Sequence, residues 1–262
     1  MFDIHYHLLY GVDDGPRTLE ESVALAEASI LEGVTHVVAT PHSNDEHPFQ
    51  PEVNRKRLAE LNERLCGRLM LGLGCDFHLS YDNLEDLRRD RSKYTINGKQ
   101  YLLVEFADSS IPATAADILY GLRLTGVVPI ITHPERNPIL AHKPQRLAEW
   151  IQGGCLVQIT ASSLTDRFGK RARAMSYDLL RKNWVHFIAS DAHSIEGRPP
   201  ALGEAYRILE KEFGRETADR LCIGNPGAAF HGNPLGQQPE PLDLYEESQP
   251  AKRGFLKGIF GR

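Results

Sequence analysis

The stretch Met1-Phe-Asp-Ile-His-Tyr-His-Leu-Leu-Tyr-Gly-Val-Asp-Asp-Gly15 decides the fold prediction. Residues 2–8 are typical of a short strand that runs into a turn. Side chains alternate between the two faces of a strand, so His5 and His7 are expected to point the same way. Because neutral imidazole is the commonest protein metal ligand, this pair predicts either half of a metal site or an ordinary polar strand end. The acidic doublet that includes Asp14 lies on the turn that follows.

Outward from this stretch, runs rich in Val and Ile alternate with apolar helical stripes about seven times. The predicted strands are residues 2–8, 34–40, 69–74, 100–104, 127–132, 155–159 and 185–189. Short strands without polar alternation favour a parallel sheet that is covered on both faces or closed into a barrel. The predicted fold class is therefore α/β.

Polar residues stand where the predicted strands end. In α/β barrels and open α/β sheets, ligands bind at the carboxyl ends of the strands, so these residues are candidates for one shared site. Near the last strand, Asp191 and His193 repeat the two-residue spacing of the opening pair. The full candidate set is His5, His7, Asp14, His42, Asp76, Glu105, His133, Asp191 and His193.

This set predicts a cluster of metal ions. Five imidazoles and four carboxylates exceed the four ligands that zinc normally takes, so two or three ions fit the number of ligands better. Mixed nitrogen and oxygen ligands without thiolate favour Mn, Fe or Zn. Such a cluster would retain positive charge, which suits a phosphate. Arg136 and Arg198 lie close to candidate ligands in sequence, and a guanidinium can bind two phosphate oxygens at once.

The composition excludes several other classes of protein. With 262 residues, 41% hydrophobic content and 25% charged content, the chain suits a globular protein with a sizeable core. A net charge of −5 gives no reason to expect a nucleic-acid partner. No signal peptide and no apolar run of about 20 residues is found, which predicts no transmembrane segment. The four cysteines are scattered without a C-x-x-C pair, which favours a reducing compartment, and a cytoplasmic protein is expected.

The composition changes near residue 233. Residues 1–232 are predicted to form a single domain, whereas residues 233–262 are rich in Pro, Gln, Gly and Glu and predict a flexible tail. We expect disorder over residues 233–252. The end of the tail, residues 254–262, combines large apolar residues with cations and could dock on a partner or make weak contact with a membrane surface.

Several motifs together resemble a known family, the polymerase and histidinol phosphatase (PHP) superfamily. Within it, the resemblance is to the bacterial manganese-dependent protein tyrosine phosphatases linked to capsular and extracellular polysaccharide synthesis. The motifs are Asp3-Ile-His-Tyr-His7, Asp13-Asp-Gly15, Ala39-Thr-Pro-His42, Val104-Glu-Phe106, His133-Pro-Glu-Arg136 and Ser190-Asp-Ala-His193.

The resemblance implies a distorted, TIM-like (β/α)7 barrel with three metal ions at the strand ends. By motif, the first ion would be held by His5, His7 and Asp191, the second by Glu105 and His133, and the third by Asp14, His42 and His193, with Arg136 and Arg198 binding phosphate. The acid that bridges the first two ions is usually Glu in this family, and Asp76 takes its place here. Because Asp is one methylene shorter, either its backbone lies closer to the ions or it contacts one ion only.

The function implied is manganese-dependent hydrolysis of phosphotyrosine in a protein, with a bacterial tyrosine kinase that controls polysaccharide synthesis or export as the expected substrate. Two alternatives stay open at this point. One is a histidinol phosphatase or another small-molecule phosphoesterase on the same metal centre. The other is a non-catalytic regulatory module in which the metals serve structure.

Overall fold

The computed structural model describes residues 1–244, and its strands follow the predicted order. The strands are β1 (Phe2–Tyr6), β2 (His36–Ala39), β3 (Met70–Leu73), β4 (Asp76–His78), β5 (Tyr101–Glu105), β6 (Val128–Thr132), β7 (Leu156–Thr160) and β8 (Phe187–Ala189). The helices are α1 (Leu19–Leu31), α2 (Pro51–Leu65), α3 (Tyr81–Arg89), α4 (Ala115–Leu124), α5 (Pro138–His142), α6 (Pro144–Gln152), α7 (Gly169–Arg181), α8 (Leu202–Phe213), α9 (Arg215–Asp219) and α10 (Asn225–His231). Among these described helices, none has both the length and the apolar composition that crossing a bilayer requires.

The strands form a closed parallel barrel. They pair as two parallel sheets with the orders β1-β2-β3 and β4-β5-β6-β7-β8. The two sheets meet at both edges, where the His7 N–H donates to the Ala192 carbonyl at 3.0 Å and the Asp76 N–H donates to the Pro41 carbonyl at 3.1 Å. These contacts complete the ring and bring all strand carboxyl ends to one rim.

Strands β3 and β4 are two halves of one barrel strand, broken at Gly74 and Cys75. Counted as one, they give a seven-stranded ring, so the predicted (β/α)7 barrel is confirmed. The sequence predicted that the strand ends before Asp76, and this boundary was wrong: pairing resumes at Asp76, opposite Leu103 of β5. A Cβ at Gly74 would lie 3.2 Å from Val38 Cγ1, so this glycine permits close packing on β2 at the break between the two halves.

A small apolar cluster fills the barrel beneath the rim. It joins Ile4, Val38, Leu103, Ile130 and Phe187, which come from strands on all sides of the ring. A larger cluster packs the outward faces of the strands against the surrounding helices. The polar rim therefore rests on a packed apolar layer, which limits the movement of its side chains.

Residues 233–244 differ from the predicted disorder, because they lie along the barrel. The Trp184 indole donates to the Leu242 carbonyl at 2.7 Å, and the Tyr101 hydroxyl donates to the Asn233 carbonyl at 2.7 Å. These bonds are accepted by backbone carbonyls, so the segment needs no apolar periodicity and its sequence pattern gives no sign of them. The rest of the predicted tail, including the apolar and basic end at residues 254–262, lies outside the described residues.

Candidate metal centre

The candidate ligands converge at the rim, in four groups whose ligand atoms lie within 4.8 Å of one another. The groups are His7, Asp14, His42 and His193; His5, His7 and Asp76; His5, His133 and Asp191; and His42, Asp76 and Glu105. Every candidate from the sequence belongs to at least one group. The structure therefore brings the whole predicted set together.

The first part of the centre is built on the opening histidine pair. His5 Nε2 lies 3.4 Å from both Asp76 Oδ2 and Asp191 Oδ1, and His7 Nε2 lies 3.5 Å from Asp191 Oδ1. In a tetrahedral zinc site with metal–ligand distances of about 2.1 Å, neighbouring ligand atoms are about 3.4 Å apart. The spacing of these atoms therefore matches the edges of a coordination shell.

The second part lies around Glu105. His133 Nε2 is 3.7 Å from Glu105 Oε1 and 4.0 Å from Asp76 Oδ2. His42 Nδ1 also faces this part, at 3.4 Å from Asp76 Oδ2 and 3.5 Å from Glu105 Oε2. Asp76 is thus within reach of ligands from both parts of the centre, although its side chain is shorter than that of Glu.

The third part is built on Asp14. Its Oδ1 lies 3.1 Å from His193 Nε2 and 3.5 Å from His42 Nε2, and the rings of His7 and His193 stack with centroids 3.8 Å apart. His7 and His42 each lie between two parts of the centre. The motif assignment gives each of these histidines to a single ion. Sequence spacing cannot indicate that one histidine lies near two parts of the centre.

Several ligand atoms are buried without a hydrogen-bond partner in the described part of the chain. They are His5 Nε2, His7 Nε2, His42 Nδ1 and Asp76 Oδ2. A buried polar atom without a partner costs roughly 1–3 kcal/mol, and native proteins keep few of them. Four such atoms, all aimed at one small volume, fit a centre that binds cations.

The electrostatics of the centre also favour positive charge. Although burial opposes it, Asp76 and Asp191 raise the pKa of His5 to about 9, so a proton or a metal ion is stabilised at this position. Burial and the neighbouring His193 lower the pKa of His7 to about 3, which leaves its ring neutral. A neutral ring is the form that binds metals.

Outer contacts orient the ligand rings. His5 Nδ1 lies 3.0 Å from Gln158 Oε1, and His7 Nδ1 lies 2.7 Å from Asp13 Oδ2. Acceptors of this kind fix the tautomer that presents Nε2 to a metal. Neither Gln158 nor Asp13 is among the candidate ligands predicted from the sequence. The available signals were the amide of Gln158 within the apolar run of β7 and the presence of Asp13 beside the candidate ligand Asp14.

Two candidate ligands have unusual backbone conformations. His133 has a φ of 33° and Asp191 a φ of 52°, in the left-handed region that residues other than glycine rarely adopt. Such conformations cost about 1–3 kcal/mol and persist where the surrounding structure enforces them, often at functional sites. At Asp191, the N–H donates to the His5 carbonyl at 2.9 Å, which holds the turn against β1.

The two predicted phosphate-binding arginines meet at one carboxylate oxygen. Arg136 and Arg198 both donate to Asp191 Oδ2, and Arg198 Nη1 lies 2.9 Å from His193 Nε2. Although burial opposes ionisation, His5 and both arginines hold the pKa of Asp191 well below its usual range. The guanidinium of Arg136 also lies over the ring of Phe168, at 4.4 Å from the centroid. The guanidinium groups of Arg136 and Arg198 thus lie beside the candidate ligands.

A model of the capsular polysaccharide synthesis family CpsB/CapC matches residues 1–231 of the chain. The chain belongs to this family. Tyrosine-protein phosphatase YwqE of Bacillus subtilis is 34% identical over 264 residues, which cover 99% of this chain and all of the relative. Tyrosine-protein phosphatase CpsB of Streptococcus agalactiae serotype V is 35% identical over 86% of this chain and 96% of its own length. The resemblance in the motifs is therefore confirmed at the level of the whole barrel.

Solved structures agree with this assignment to the CpsB/CapC family. A structure from a study of YwqE from Bacillus subtilis and CpsB from Streptococcus pneumoniae, described as metal-dependent tyrosine phosphatases, matches with a TM-score of 0.86 at 33% identity. The match covers 92% of this chain and 99% of the other. A β-aspartyl dipeptidase from Fervidobacterium islandicum AW-1 matches with a TM-score of 0.57 at 16% identity, over 91% of this chain and 75% of the other, and shares the fold alone.

Proposed function

We propose that this chain is a metal-dependent protein tyrosine phosphatase that removes phosphate from phosphotyrosine in a protein substrate. One observation carries the proposal: a largely buried cluster of imidazoles and carboxylates is bordered by two arginines that converge on Asp191. The family relatives that are named tyrosine-protein phosphatases support the same activity.

We assign the clustered side chains as ligands of three divalent ions, with Mn favoured over Fe or Zn. The first ion would be held by His5, His7 and Asp191, the second by Glu105 and His133, and the third by Asp14, His42 and His193, with Asp76 between the first two. The unpartnered buried atoms of the cluster support this assignment. When bound, the ions would lower the pKa of a coordinated water towards about 7 and offset charge on the phosphate.

Arg136 and Arg198 bind the phosphate in this proposal. Each guanidinium presents a planar fork of donors that fits two phosphate oxygens, and both already donate to a carboxylate oxygen at the rim. Donors held in place before the reaction stabilise the charge that develops as the phosphate is transferred. The leaving phenol has a pKa of about 10, so it departs more easily than an alkyl alcohol.

The cysteines do not support a thiol mechanism. Cys75, Cys155 and Cys222 are buried, and burial raises the pKa of Cys155 to about 12. Cys66 is exposed, but it ends α2 and belongs to none of the clusters at the rim. A nucleophilic thiolate requires a lowered pKa, which the three buried thiols lack.

We further propose that the protein substrate is a bacterial tyrosine kinase that controls polysaccharide synthesis or export, and that the reaction takes place in the cytoplasm. The family description, capsular polysaccharide synthesis, supports this substrate. The proposed catalytic unit is residues 1–232. Incubation of the purified phosphorylated kinase from the same genome with this protein should lower its phosphotyrosine content, measured with an antibody to phosphotyrosine.

A two-substrate assay tests the activity. The full chain, loaded with Mn²⁺, is expected to release phosphate from a phosphotyrosine peptide with a higher kcat/KM than from histidinol phosphate. EDTA should abolish this release, whereas iodoacetamide should leave most of it. Preference for histidinol phosphate would favour the small-molecule phosphatase, and no release from either substrate would favour a non-catalytic metal-binding module.

A further inference from the structure

A cavity of about 540 Å³ opens directly beside the candidate metal centre. Asp14 and His193 line it next to the centre, Pro16 and Ile195 give its wall an apolar part, and the charged side chains of Arg17, Glu21 and Glu196 also line it. Sites for small ligands are typically concave, about 300–1,000 Å³ in volume and largely apolar, with a few polar groups that fix orientation. The cavity therefore has the size of a ligand subsite, and Pro16 and Ile195 form an apolar part of its wall.

The two walls of the cavity are fixed to the same elements that carry the centre. On one side, the Pro16 carbonyl accepts a hydrogen bond from the Gly11 N–H at 2.7 Å. On the other, Ser194 Oγ accepts from the N–H groups of Gly197 and Arg198 at 3.2 Å each. The loop that carries Ile195 is thus bonded to the backbone of Arg198. The position of this wall relative to the proposed phosphate-binding residue Arg198 is therefore fixed by hydrogen bonds.

Ile195 gives the cavity an apolar rim. Its side chain is 52% exposed, and it is the apolar residue between the polar residues Ser194 and Glu196. A single exposed aliphatic side chain is ordinary on a protein surface. This one, however, lies on the wall of a cavity that adjoins an ionic centre, where it would gain by covering an apolar group of a bound substrate.

We propose that this cavity is the subsite for the aromatic ring of the substrate, with Pro16 and Ile195 as its walls. The inference rests on the proposed phosphatase function and deepens it, because it predicts a preference for aryl over alkyl phosphates. Phosphate bound by Arg198 would leave the phenyl ring on the side of Asp14 and His193, where the cavity opens. Binding of the ring there removes apolar surface from water, and an alkyl phosphate cannot match this gain.

The smaller cavity on the other side of Arg136 is a weaker candidate for the ring. Its volume is about 270 Å³, and its lining includes Glu135 and Arg171 as well as Phe168. This volume lies below the usual range for a small-ligand site, so the smaller cavity offers a phenyl ring less room.

Two opposite substitutions test the proposal. Ile195→Ser removes the apolar rim, and Ala24→Trp, at an exposed position of α1 on the cavity wall, fills the space. Both positions are exposed, so both variants should fold, as circular dichroism can verify. Leu31→Ser, at an 89% exposed position of the same helix outside the cavity, is the matched control.

The measurements are KM and kcat for phenyl phosphate and O-phosphoserine, and calorimetric Kd values for phenylphosphonate and methylphosphonate, all with Mn²⁺-loaded protein. We expect Ile195→Ser and Ala24→Trp to raise KM for phenyl phosphate and Kd for phenylphosphonate by about tenfold. Values for O-phosphoserine and methylphosphonate should change by less than about twofold, because these ligands do not place a ring in the cavity.

Two outcomes would overturn the inference. Unchanged phenylphosphonate binding in both variants would show that the ring lies elsewhere, and a tenfold loss in Phe168→Ala alone would then assign it to the smaller cavity. Equal losses for phenyl and methyl ligands would mean that the substitutions damage phosphate binding and not a ring subsite. Absence of phenyl phosphate hydrolysis by the unmodified protein would instead overturn the proposed function itself.

Discussion

His5 Nε2 lies 3.4 Å from Asp76 Oδ2, and neither atom has a hydrogen-bond partner within residues 1–244. Both side chains are buried at the rim of the barrel. A donor and an acceptor at this separation could move together to form a hydrogen bond. Their separation instead matches the edge of a coordination shell, in which both atoms face a shared cation.

The first prediction therefore concerns Asp76. Asp76→Asn keeps the size of the side chain but removes the negative charge, so it should lower the metal bound per chain and reduce kcat/KM on a phosphotyrosine peptide by at least about 100-fold. Metal content is measured by plasma mass spectrometry. Asp76→Glu is the charge-preserving control, with the acid usual in the family, and should keep the bound metal. Full metal content and full activity in Asp76→Asn would refute the assignment of this ligand.

The second prediction concerns Gln158, which is buried and lies 3.0 Å from His5 Nδ1. Gln158→Leu removes this acceptor, so it should weaken metal binding by about 10–100-fold, measured by titration of the metal-free protein. Its own Nε2 is unpartnered among the described residues, so Leu should not lower thermal stability much. A large loss of stability with unchanged metal affinity would contradict this prediction and indicate a packing role.

The third prediction concerns the convergence of the arginines on Asp191. Arg198→Lys keeps the charge but loses the planar fork, so kcat/KM on phenyl phosphate should fall by about 100-fold and the inhibition constant of orthophosphate should rise. Arg136→Lys should act in the same direction. Arg207→Lys, on α8 and outside the cluster, is the control and should leave both constants unchanged. Unaltered orthophosphate inhibition in Arg198→Lys would exclude a role in phosphate binding.

Much of the fold and most of the centre follow from local sequence patterns. Parallel barrel strands are short apolar runs, and their carboxyl ends must meet at one rim, so residues such as His42 and Glu105 could be placed together without a structure. The continuation of the strand through Asp76 could not be predicted, because Gly74 is also typical of a strand end. Close packing of Gly74 against Val38 depends on the neighbouring strand.

Two further features depend on three-dimensional placement. His7 and His42 each belong to two ligand groups, and residue spacing does not specify how close a ring lies to ligands from other strands. The segment at residues 233–244 is held largely by its own backbone carbonyls and amides, as in the bond from the Leu242 N–H to the Lys182 carbonyl at 2.9 Å, and by the Gln238 side chain, which pairs with that of Asn225. Backbone groups are the same in every sequence, so composition alone predicted disorder.

The fourth prediction concerns pH and His186. Burial and the nearby Arg220 lower the pKa of His186 to about 4, and its Nδ1 accepts from the Val157 N–H at 3.1 Å, which requires a neutral ring. The unfolded chain binds this proton near pH 6.5, so the contribution of His186 is complete above pH 6.5 and is lost as the pH falls towards 4. The expected loss is on the order of 3 kcal/mol.

Urea unfolding of the full chain at pH 7 and pH 5 measures the first part of this loss, about 2 kcal/mol. His186→Asn keeps an acceptor near Val157 but does not titrate, so its free energy of unfolding should fall less between these two pH values. His231→Asn, at the end of α10, is the matched histidine control and should behave like the unmodified protein. Identical pH dependence in all three proteins would mean that His186 is accessible to protons in the folded state.

The fifth prediction concerns residues 233–244. A chain that ends at residue 232 loses the acceptor for the Trp184 indole, the acceptor for the Tyr101 hydroxyl and the donor for the Lys182 carbonyl. At about 1 kcal/mol each, these hydrogen bonds should lower stability by on the order of 3 kcal/mol, or Tm by about 5–10 °C. Calorimetry of chains ending at 232 and at 244 isolates this segment.

Because none of these contacts reaches the rim, kcat/KM on phenyl phosphate at 25 °C should be equal in the two chains. Equal Tm values would instead place the domain boundary at residue 232, as its composition suggests, and the segment would then contribute nothing to the stability of the barrel.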